Sequence, residues 1–226
     1  MSYSARLLFP NGNPFYIQDT LPISLFYKRD VTFNNSTTTF NLDADGEAPY
    51  IYFIRMDNQQ AYAYQEINSS SGQRYIVSGL PTNTSYSFNA RIYCFGLAFQ
   101  TPPKWGIAFW DAKGRCILKN ETVTLKGLTK TGASGTAGKV DYLNESVQGK
   151  VAIIPERTGQ VTYRTGGASG GGGIAGESYA TSCFYDSSSN TTKIKSTLAS
   201  VPSGGTLVTS NGTNYMPAYI GCSLYD

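Results

Sequence analysis

The sequence predicts an all-β fold, an antiparallel β-sandwich or jelly roll with little or no helix. Aromatic residues are abundant, with 17 Tyr, 11 Phe and 2 Trp, and their rings suit the pleated surface of a sheet. Only 15% of the residues are charged, which is low for a helical protein of 226 residues. Short apolar runs recur roughly every 8–12 residues between turn-forming clusters, the spacing expected of a sandwich or jelly roll.

Runs of apolar residues predict the strands of the first half. A strand is expected over residues 21–33, where apolar and polar side chains alternate. Residues 50–55, YIYFIR, are apolar on both faces and are predicted to form the most central strand of this half. Weaker strands are expected over residues 62–64 and 73–78.

The clearest alternation in the chain runs from residue 85 to residue 94. The apolar positions are Tyr86, Phe88, Ala90, Ile92 and Cys94, and the others are Ser85, Ser87, Asn89, Arg91 and Tyr93. We expect the first set to face the core and the second set, Tyr93 included, to face water, because alternate side chains of a strand lie on opposite faces.

The second half is predicted to contain shorter strands and one regular final strand. In chain order, strands are expected over residues 149–154, 160–164, 179–185, 193–198, 207–209 and 218–224. The final strand places Ala218, Ile220, Cys222 and Leu224 on one face, so we expect it to be docked in a sheet.

Residues 126–139, KGLTKTGASGTAGK, show no apolar periodicity and are interpreted as a linker or long loop. This stretch predicts an N-terminal β-sandwich domain over residues 1–128 and a C-terminal β domain over residues 140–226. The alternative is one interleaved β domain over residues 1–226.

Residues 105–118, WGIAFWDAKGRCIL, predict a β-hairpin. Apolar residues alternate up to Trp110, the residues from Asp111 to Gly114 have turn chemistry, and the apolar run resumes at Cys116. An additional strand is expected over residues 121–125.

The hairpin sequence resembles a repeated element in tail proteins of long-tailed bacteriophages and their prophages. A shorter version, RLLFPNGNPFYI, occupies residues 6–17. Residues 1–50, the stretch GKVAIIPERTGQ and the closing YIGCSLYD also resemble a family of small tail proteins encoded near the tail-fibre genes of such phages.

The resemblance implies a virion structural protein with no active site. The expected partners are tail-fibre or tail-tip proteins, present in multiples of three because the tail axis is three-fold or six-fold symmetric. A contact with a host surface glycan or protein receptor is left open. The expected location is the phage tail, after synthesis in the cytoplasm of the bacterial host.

The residue types make several kinds of chemistry improbable. The chain has no histidine, which removes Ser-His and Cys-His pairs and histidine metal sites. The four cysteines, Cys94, Cys116, Cys183 and Cys222, lie far apart and are expected to be buried free thiols. We therefore expect no enzyme activity, no cofactor and no metal site.

Charge and hydropathy point away from nucleic acid and membrane partners. The net charge is +3, without a stripe of Lys and Arg that could neutralise phosphates. No run of apolar residues is long enough to span a bilayer, and the first residues do not resemble a secretory leader. We expect no nucleic-acid binding, no membrane insertion and no disulfides.

Residues 165–179, TGGASGGGGIAGESY, form the candidate functional surface. Ordering so many glycines costs more backbone entropy than an ordinary turn, which favours a role beyond connection. The candidate residues for binding a partner or receptor are Tyr163, Arg164, Gly171, Gly172, Gly173, Glu177 and Tyr179. The alternative is a loop whose glycines only allow flexibility or close passage of the backbone. The pattern Gly-x-Gly-x-x-Gly also occurs here, but without the β-α-β unit that binds dinucleotides.

Three classes of function remain open from the sequence. The first is a structural or attachment component of the tail tip or tail fibre. The second is a carbohydrate-binding module or a tail-fibre assembly chaperone. The third, an enzyme acting on envelope polysaccharide, would need a pair of carboxylates at fixed separation, and the sequence does not single out such a pair.

Overall fold

The computed structural model describes residues 21–34, 37–42, 50–81, 87–97, 99–111, 113–165, 173–199 and 206–226. Within these ranges the protein is built from β-strands and one 3-10 turn at Cys222–Leu224, with no α-helix. The prediction of an all-β fold is confirmed. The hairpin expected over residues 6–17 lies outside the described residues.

Sixteen strands are present in the described part of the chain. The first eight are β1 (Ile23–Asn34), β2 (Thr37–Asn41), β3 (Tyr50–Met56), β4 (Tyr62–Ile67), β5 (Arg74–Gly79), β6 (Ser87–Leu97), β7 (Ala108–Trp110) and β8 (Cys116–Lys119). The last eight are β9 (Thr129–Lys130), β10 (Asn144–Gln148), β11 (Val151–Ile153), β12 (Arg157–Thr165), β13 (Gly173–Asp186), β14 (Thr191–Leu198), β15 (Thr206–Gly212) and β16 (Ala218–Gly221).

Fourteen of these strands belong to one large sheet. Its main path runs β2-β5-β4-β13-β3-β11-β16-β9. Three branches leave that path. Strand β6 pairs with β3 and carries β1 on its other side, β14 pairs with β13 and carries β10, and β12 pairs with β13 and carries β15. The described pairings are antiparallel except for the contact between β3 and β13, which is parallel. Strands β7 and β8 form a separate two-stranded sheet.

Strand β3 is covered on both faces, as its sequence predicted. On one face, Tyr52, Ile54 and Met56 join the larger core cluster. On the other face, Phe53 packs in a second core cluster, where its ring meets the ring of Phe95 edge-on at 5.7 Å between centroids. The continuous apolar run of β3 therefore has a direct structural cause, since neither face of the strand meets water.

The prediction for β6 was right except at Tyr93. Phe88, Ala90, Ile92 and Cys94 are buried as expected, and Ser87 and Asn89 are exposed as expected, while Ser85 and Tyr86 lie outside the described residues. Tyr93 was expected to face water, but it is fully buried. It packs in the second core cluster, which the C-terminal residues cover, so this end of the second face is not exposed to water.

The predicted face of the final strand was also partly wrong. Ile220 and Cys222 are buried, but the side chain of Leu224 is 55% exposed. Strand β16 ends at Gly221 and the chain turns into a 3-10 helix, which breaks the two-residue alternation.

The strand expected over residues 121–125 is not formed. These residues contribute only an isolated bridge between Thr124 and Ser24.

Strands from the two predicted domains pair with each other. Strand β3 pairs with β11 and β13, and β4 also pairs with β13. Buried residues from both halves, such as Ile92 and Ile194, belong to the same core cluster. This arrangement matches the description of a single interleaved domain, and the two-domain division stays a prediction to be tested by unfolding.

Residues 126–139 are mostly irregular, as expected, but they are attached to the sheet. The amide of Thr131 donates to the Pro217 carbonyl at 2.9 Å. The amide of Gly135 donates to the Thr213 carbonyl at 2.8 Å. Because Thr131 is also buried, the stretch follows the surface of the fold instead of hanging free as a flexible linker would.

Candidate functional site

The predicted glycine-rich run connects two long paired strands. Strands β12 and β13 pair from Arg157 and Ala180 up to Thr165 and Gly173. Both strands extend further than the sequence predicted, because β12 is paired on its two sides, by β13 and by β15. Gly171 and Gly172 lie outside the described residues, and Gly173 is the first residue of β13.

Three of the predicted site residues lie on one face of this ribbon. Tyr163 is directly opposite Ala175, so Glu177 is its diagonal neighbour on the same face. The hydroxyl of Tyr163 donates a 3.0 Å hydrogen bond to Glu177 Oε2. That bond to a carboxylate raises the pKa of Tyr163, because it favours the protonated phenol. Tyr179, two residues after Glu177, lies on the same face and is half-buried.

Arg164 is separated from the other predicted residues. It pairs with Ile174 across the strands, on the face opposite to Tyr163. Its side chain is exposed, so it is accessible to a partner at the end of the ribbon. The structure therefore brings Tyr163, Glu177 and Tyr179 together and places Arg164 elsewhere.

Sequence reasoning missed the apolar residues at this end of the ribbon. Ile174, Leu207 and Val208 are 81%, 58% and 51% exposed. Leu207 pairs with Tyr163, and a bulge between Thr162 and Tyr163 accommodates the extra residue of β15. We call this end the ribbon tip and define it by Tyr163, Arg164, Gly173, Ile174, Leu207 and Val208. The periodicity indicated strands here but could not show that their apolar side chains lack cover.

Three more apolar side chains are exposed on the β7–β8 hairpin and in the residues just before it. Trp105, Ile107 and Trp110 are 82%, 66% and 51% exposed, and these three residues define what we call the hairpin surface. Both tryptophans of the chain therefore lie on it. The predicted hairpin is confirmed, with Ala108 opposite Lys119.

The hairpin is held rigidly from its inner side. Cys116 and Ile117 are buried, and the Gln100 amide donates to the Cys116 carbonyl at 2.7 Å. In the turn, Asp111 accepts hydrogen bonds from the backbone amides of Lys113 and Arg115. These amides, the Arg115 amide above all, lower the pKa of Asp111 by stabilising its carboxylate.

A fixed backbone also orients Trp105. Gly106 has φ +122°, a conformation that side chains rarely allow. A Cβ there would collide with the Asn120 side chain. The backbone N–H of Asn120 also donates to the Ile107 carbonyl at 3.0 Å. The residues that carry the tryptophans are therefore ordered by local contacts and present their rings outward.

The cysteines are free and buried, as predicted. Among the described residues, no group of three or more Cys, Asp and Glu side chains could hold a metal ion. The described part of the chain also contains no helix with the length and apolar character needed to cross a membrane.

Comparison of the chain with protein-family models, curated proteins and solved structures found no match. Support for a function therefore comes from the residues of the chain and the geometry described above.

Proposed function

We propose that the protein is a structural component of a phage virion, part of the tail tip or tail fibre, and that it binds fibre or tip protein through the hairpin surface. The observation that carries the proposal is the exposure of both tryptophans in residues 105–118, the longer of the two stretches whose sequence resembles the tail-protein element. A surface of this kind needs a partner, because tryptophan is normally well buried in a folded protein.

The energetics of the exposed rings support a protein partner. Large aromatic side chains bury about 150–250 Å² each, and apolar burial contributes about 25 cal/mol per Å². Covering Trp105 and Trp110 would therefore contribute on the order of several kcal/mol to association. Tryptophan is also enriched among the residues that dominate binding energy at protein interfaces.

The rigidity of the hairpin adds to this support. Because the hairpin is held by Gln100, Asn120 and the Asp111 turn, little side-chain or loop ordering is needed when a partner binds. A pre-organised apolar surface suits permanent assembly better than transient regulation.

The ribbon tip is proposed as the second contact of the protein, with the fibre or with a host glycan or receptor. Tyr163 and Glu177 supply a hydroxyl and a carboxylate, and Arg164 supplies a cation at the same end of the ribbon. Exposed Ile174 adds apolar area. Mixed polar and apolar groups on exposed connections are common in recognition surfaces.

The decisive experiment compares two double variants in phage particles. The first is Trp105→Ser with Trp110→Ser, which removes the hairpin surface. The matched control is Leu128→Ser with Leu224→Ser, which removes two other side chains that are 53% and 55% exposed. Trp110, Leu128 and Leu224 are each about half buried, so both double variants should lose some stability. The comparison therefore uses variants shown to be folded at the temperature of phage assembly.

We expect virions to incorporate the control and to lack the tryptophan variant. Incorporation of the tryptophan variant at the original level would overturn the role of the hairpin surface. Absence of the original protein from virions, together with loss of fibre assembly when it is removed, would instead favour the assembly chaperone.

A further inference from the structure

A polar cleft is lined by the last residues of β4, by Arg74 at the start of β5, and by the segment that joins β11 to β12. Its volume is about 370 Å³. The side chains that matter to its chemistry are those of Gln65, Glu66, Arg74, Glu156, Arg157 and Tyr215. None of them belongs to the hairpin surface or to the ribbon tip.

The cleft forms where β4 separates from β13 and residues 155–156 lie between the two strands. The two strands pair at Ala63 and Thr181. Beyond that point, the backbone N–H of Gln65 donates to the Pro155 carbonyl at 3.1 Å. On the other side, the Thr181 amide donates to the Glu156 carbonyl at 2.9 Å. The walls of the cleft are thus fixed by backbone hydrogen bonds.

One wall presents an ion pair held in place by aromatic side chains. Arg157 forms a salt bridge with Glu66, and its guanidinium lies 4.0 Å from the centroid of the Tyr64 ring. The hydroxyl of Tyr75 donates a 2.8 Å hydrogen bond to Glu66 Oε2. Glu66 and Arg157 are therefore oriented before any ligand arrives.

The other wall presents a carboxyl group in a poorly solvated position. Glu156 is half-buried, and burial raises its pKa because the charged form loses hydration, although the nearby Tyr215 hydroxyl offsets part of the shift. The Tyr215 hydroxyl donates its hydrogen to the Arg157 carbonyl at 2.9 Å, which fixes its ring at the edge of the cleft. The ring itself is 37% exposed.

We propose that this cleft binds a neutral, hydroxyl-rich sugar residue of a polysaccharide. Two carboxylates and two guanidinium groups line the cleft, so its formal charge balances and gives no attraction for an anion. Sugar hydroxyls can donate hydrogen bonds to Glu66 and Glu156 and accept them from Arg157. A sugar therefore forms hydrogen bonds with both the negative and the positive groups of the cleft.

Size and shape agree with this class of ligand. Small-molecule sites usually enclose about 300–1,000 Å³ and combine apolar walls with a few placed polar groups. The exposed face of Tyr215 can cover the apolar face of a sugar ring. The sugar site is independent of the proposed place in a virion, since it uses different residues and is measured on the purified protein.

The test is saturation-transfer NMR of the purified protein with neutral hexasaccharides of glucose, galactose, N-acetylglucosamine and rhamnose. Sialylated and sulfated oligosaccharides serve as anionic comparisons. We expect at least one neutral hexasaccharide to bind and the anionic ones to bind less well. Glu156→Gln should weaken that binding about tenfold, the size expected for one hydrogen bond to a charged group. Tyr215→Ala should also weaken it, because this change removes the ring that covers the sugar.

The matched control is Glu121→Gln, which makes the same chemical change at an exposed carboxylate paired with Lys119. It should bind the sugar like the original protein, and so should the tryptophan double variant. If Glu156→Gln does not fold, Tyr215→Ala decides the outcome. Three results would overturn the proposal: no neutral sugar binds, anionic sugars bind better, or the folded cleft variants keep full affinity.

Discussion

The hydroxyl of Tyr93 donates a 2.6 Å hydrogen bond to Asp226 Oδ1, across 133 positions of the chain. Arg91 reaches the same carboxylate oxygen at 3.0 Å from its Nη1 atom. The ring of Tyr225 packs edge-on against Phe95, with 4.9 Å between centroids. The C-terminal residues therefore close the second core cluster over a face of β6.

The carboxylate at Asp226 should make stability depend on acid pH. Desolvation works to raise its pKa, but the hydrogen bonds from Tyr93 and Arg91 outweigh it, so the pKa lies below the usual value of 3.8. A lowered pKa contributes stability that is present above the unfolded value and is lost as pH falls through the folded value. We expect the free energy of unfolding to fall more steeply below about pH 4 in the original protein than in Asp226→Asn.

Urea unfolding at a series of pH values measures this difference. Asp141→Asn makes the same change at an exposed carboxylate and serves as the control, so it should keep the pH profile of the original protein. Identical pH profiles for Asp226→Asn and the original protein would show that the contact with Tyr93 does not stabilise the fold.

The buried thiols should be unreactive in the folded protein. Burial raises the pKa of Cys94 to about 11, so little of the reactive thiolate is present near neutral pH. A thiol reagent such as DTNB should label the cysteines only after the protein is unfolded. Cys94→Ser or Cys222→Ser should lower the unfolding free energy by about 1–3 kcal/mol, because a polar hydroxyl replaces a weakly polar thiol in a fully buried position. Loss of partner binding with unchanged stability would contradict this structural role.

Limited proteolysis distinguishes the two domain descriptions. Because residues 126–139 are hydrogen-bonded to the sheet and β3 pairs with β11, we expect slow cleavage in this stretch, followed by cooperative unfolding of both fragments. Mass spectrometry identifies the cut site, and circular dichroism follows the fragments. Two fragments that stay folded after cleavage would support separate domains over residues 1–128 and 140–226.

The glycine-rich run is tested by replacing Gly171, Gly172 and Gly173 together with alanine. If the run is part of a recognition surface, the variant should fold and enter virions normally while attachment or fibre binding falls. If the glycines serve only the path of the backbone, the melting temperature should fall or assembly should fail. Should folding, incorporation and attachment all stay unchanged, neither role is correct and the run is a passive connection.

The strands could be predicted from the sequence because alternation and turn residues are local signals. Strands β3 and β6 and the hairpin at Trp110 and Cys116 all lie where the pattern placed them. The burial of Tyr93 could not be predicted, because it depends on Tyr225 and Cys222 from the far end of the chain. Alternation shows that a strand has two faces but does not show what covers the second one.

The candidate sites were harder to predict than the strands for the same physical reason. The pair of Tyr163 and Glu177 lies on neighbouring strands, so the predicted residues fell close together. The cleft joins Glu66 to Arg157, which are 91 positions apart, and no local spacing connects them. The exposure of Trp105 is likewise a property of the whole fold, since an apolar run in sequence fits a buried strand equally well.

Copy counting in purified virions decides whether the protein is part of a phage tail, as we propose. Quantitative mass spectrometry against a tail protein of known copy number gives the count, and antibody labelling in electron micrographs gives the position. We expect the protein at the tail tip or fibre, in a multiple of three copies. A single copy per virion, or absence from virions that are otherwise complete, would contradict the proposal.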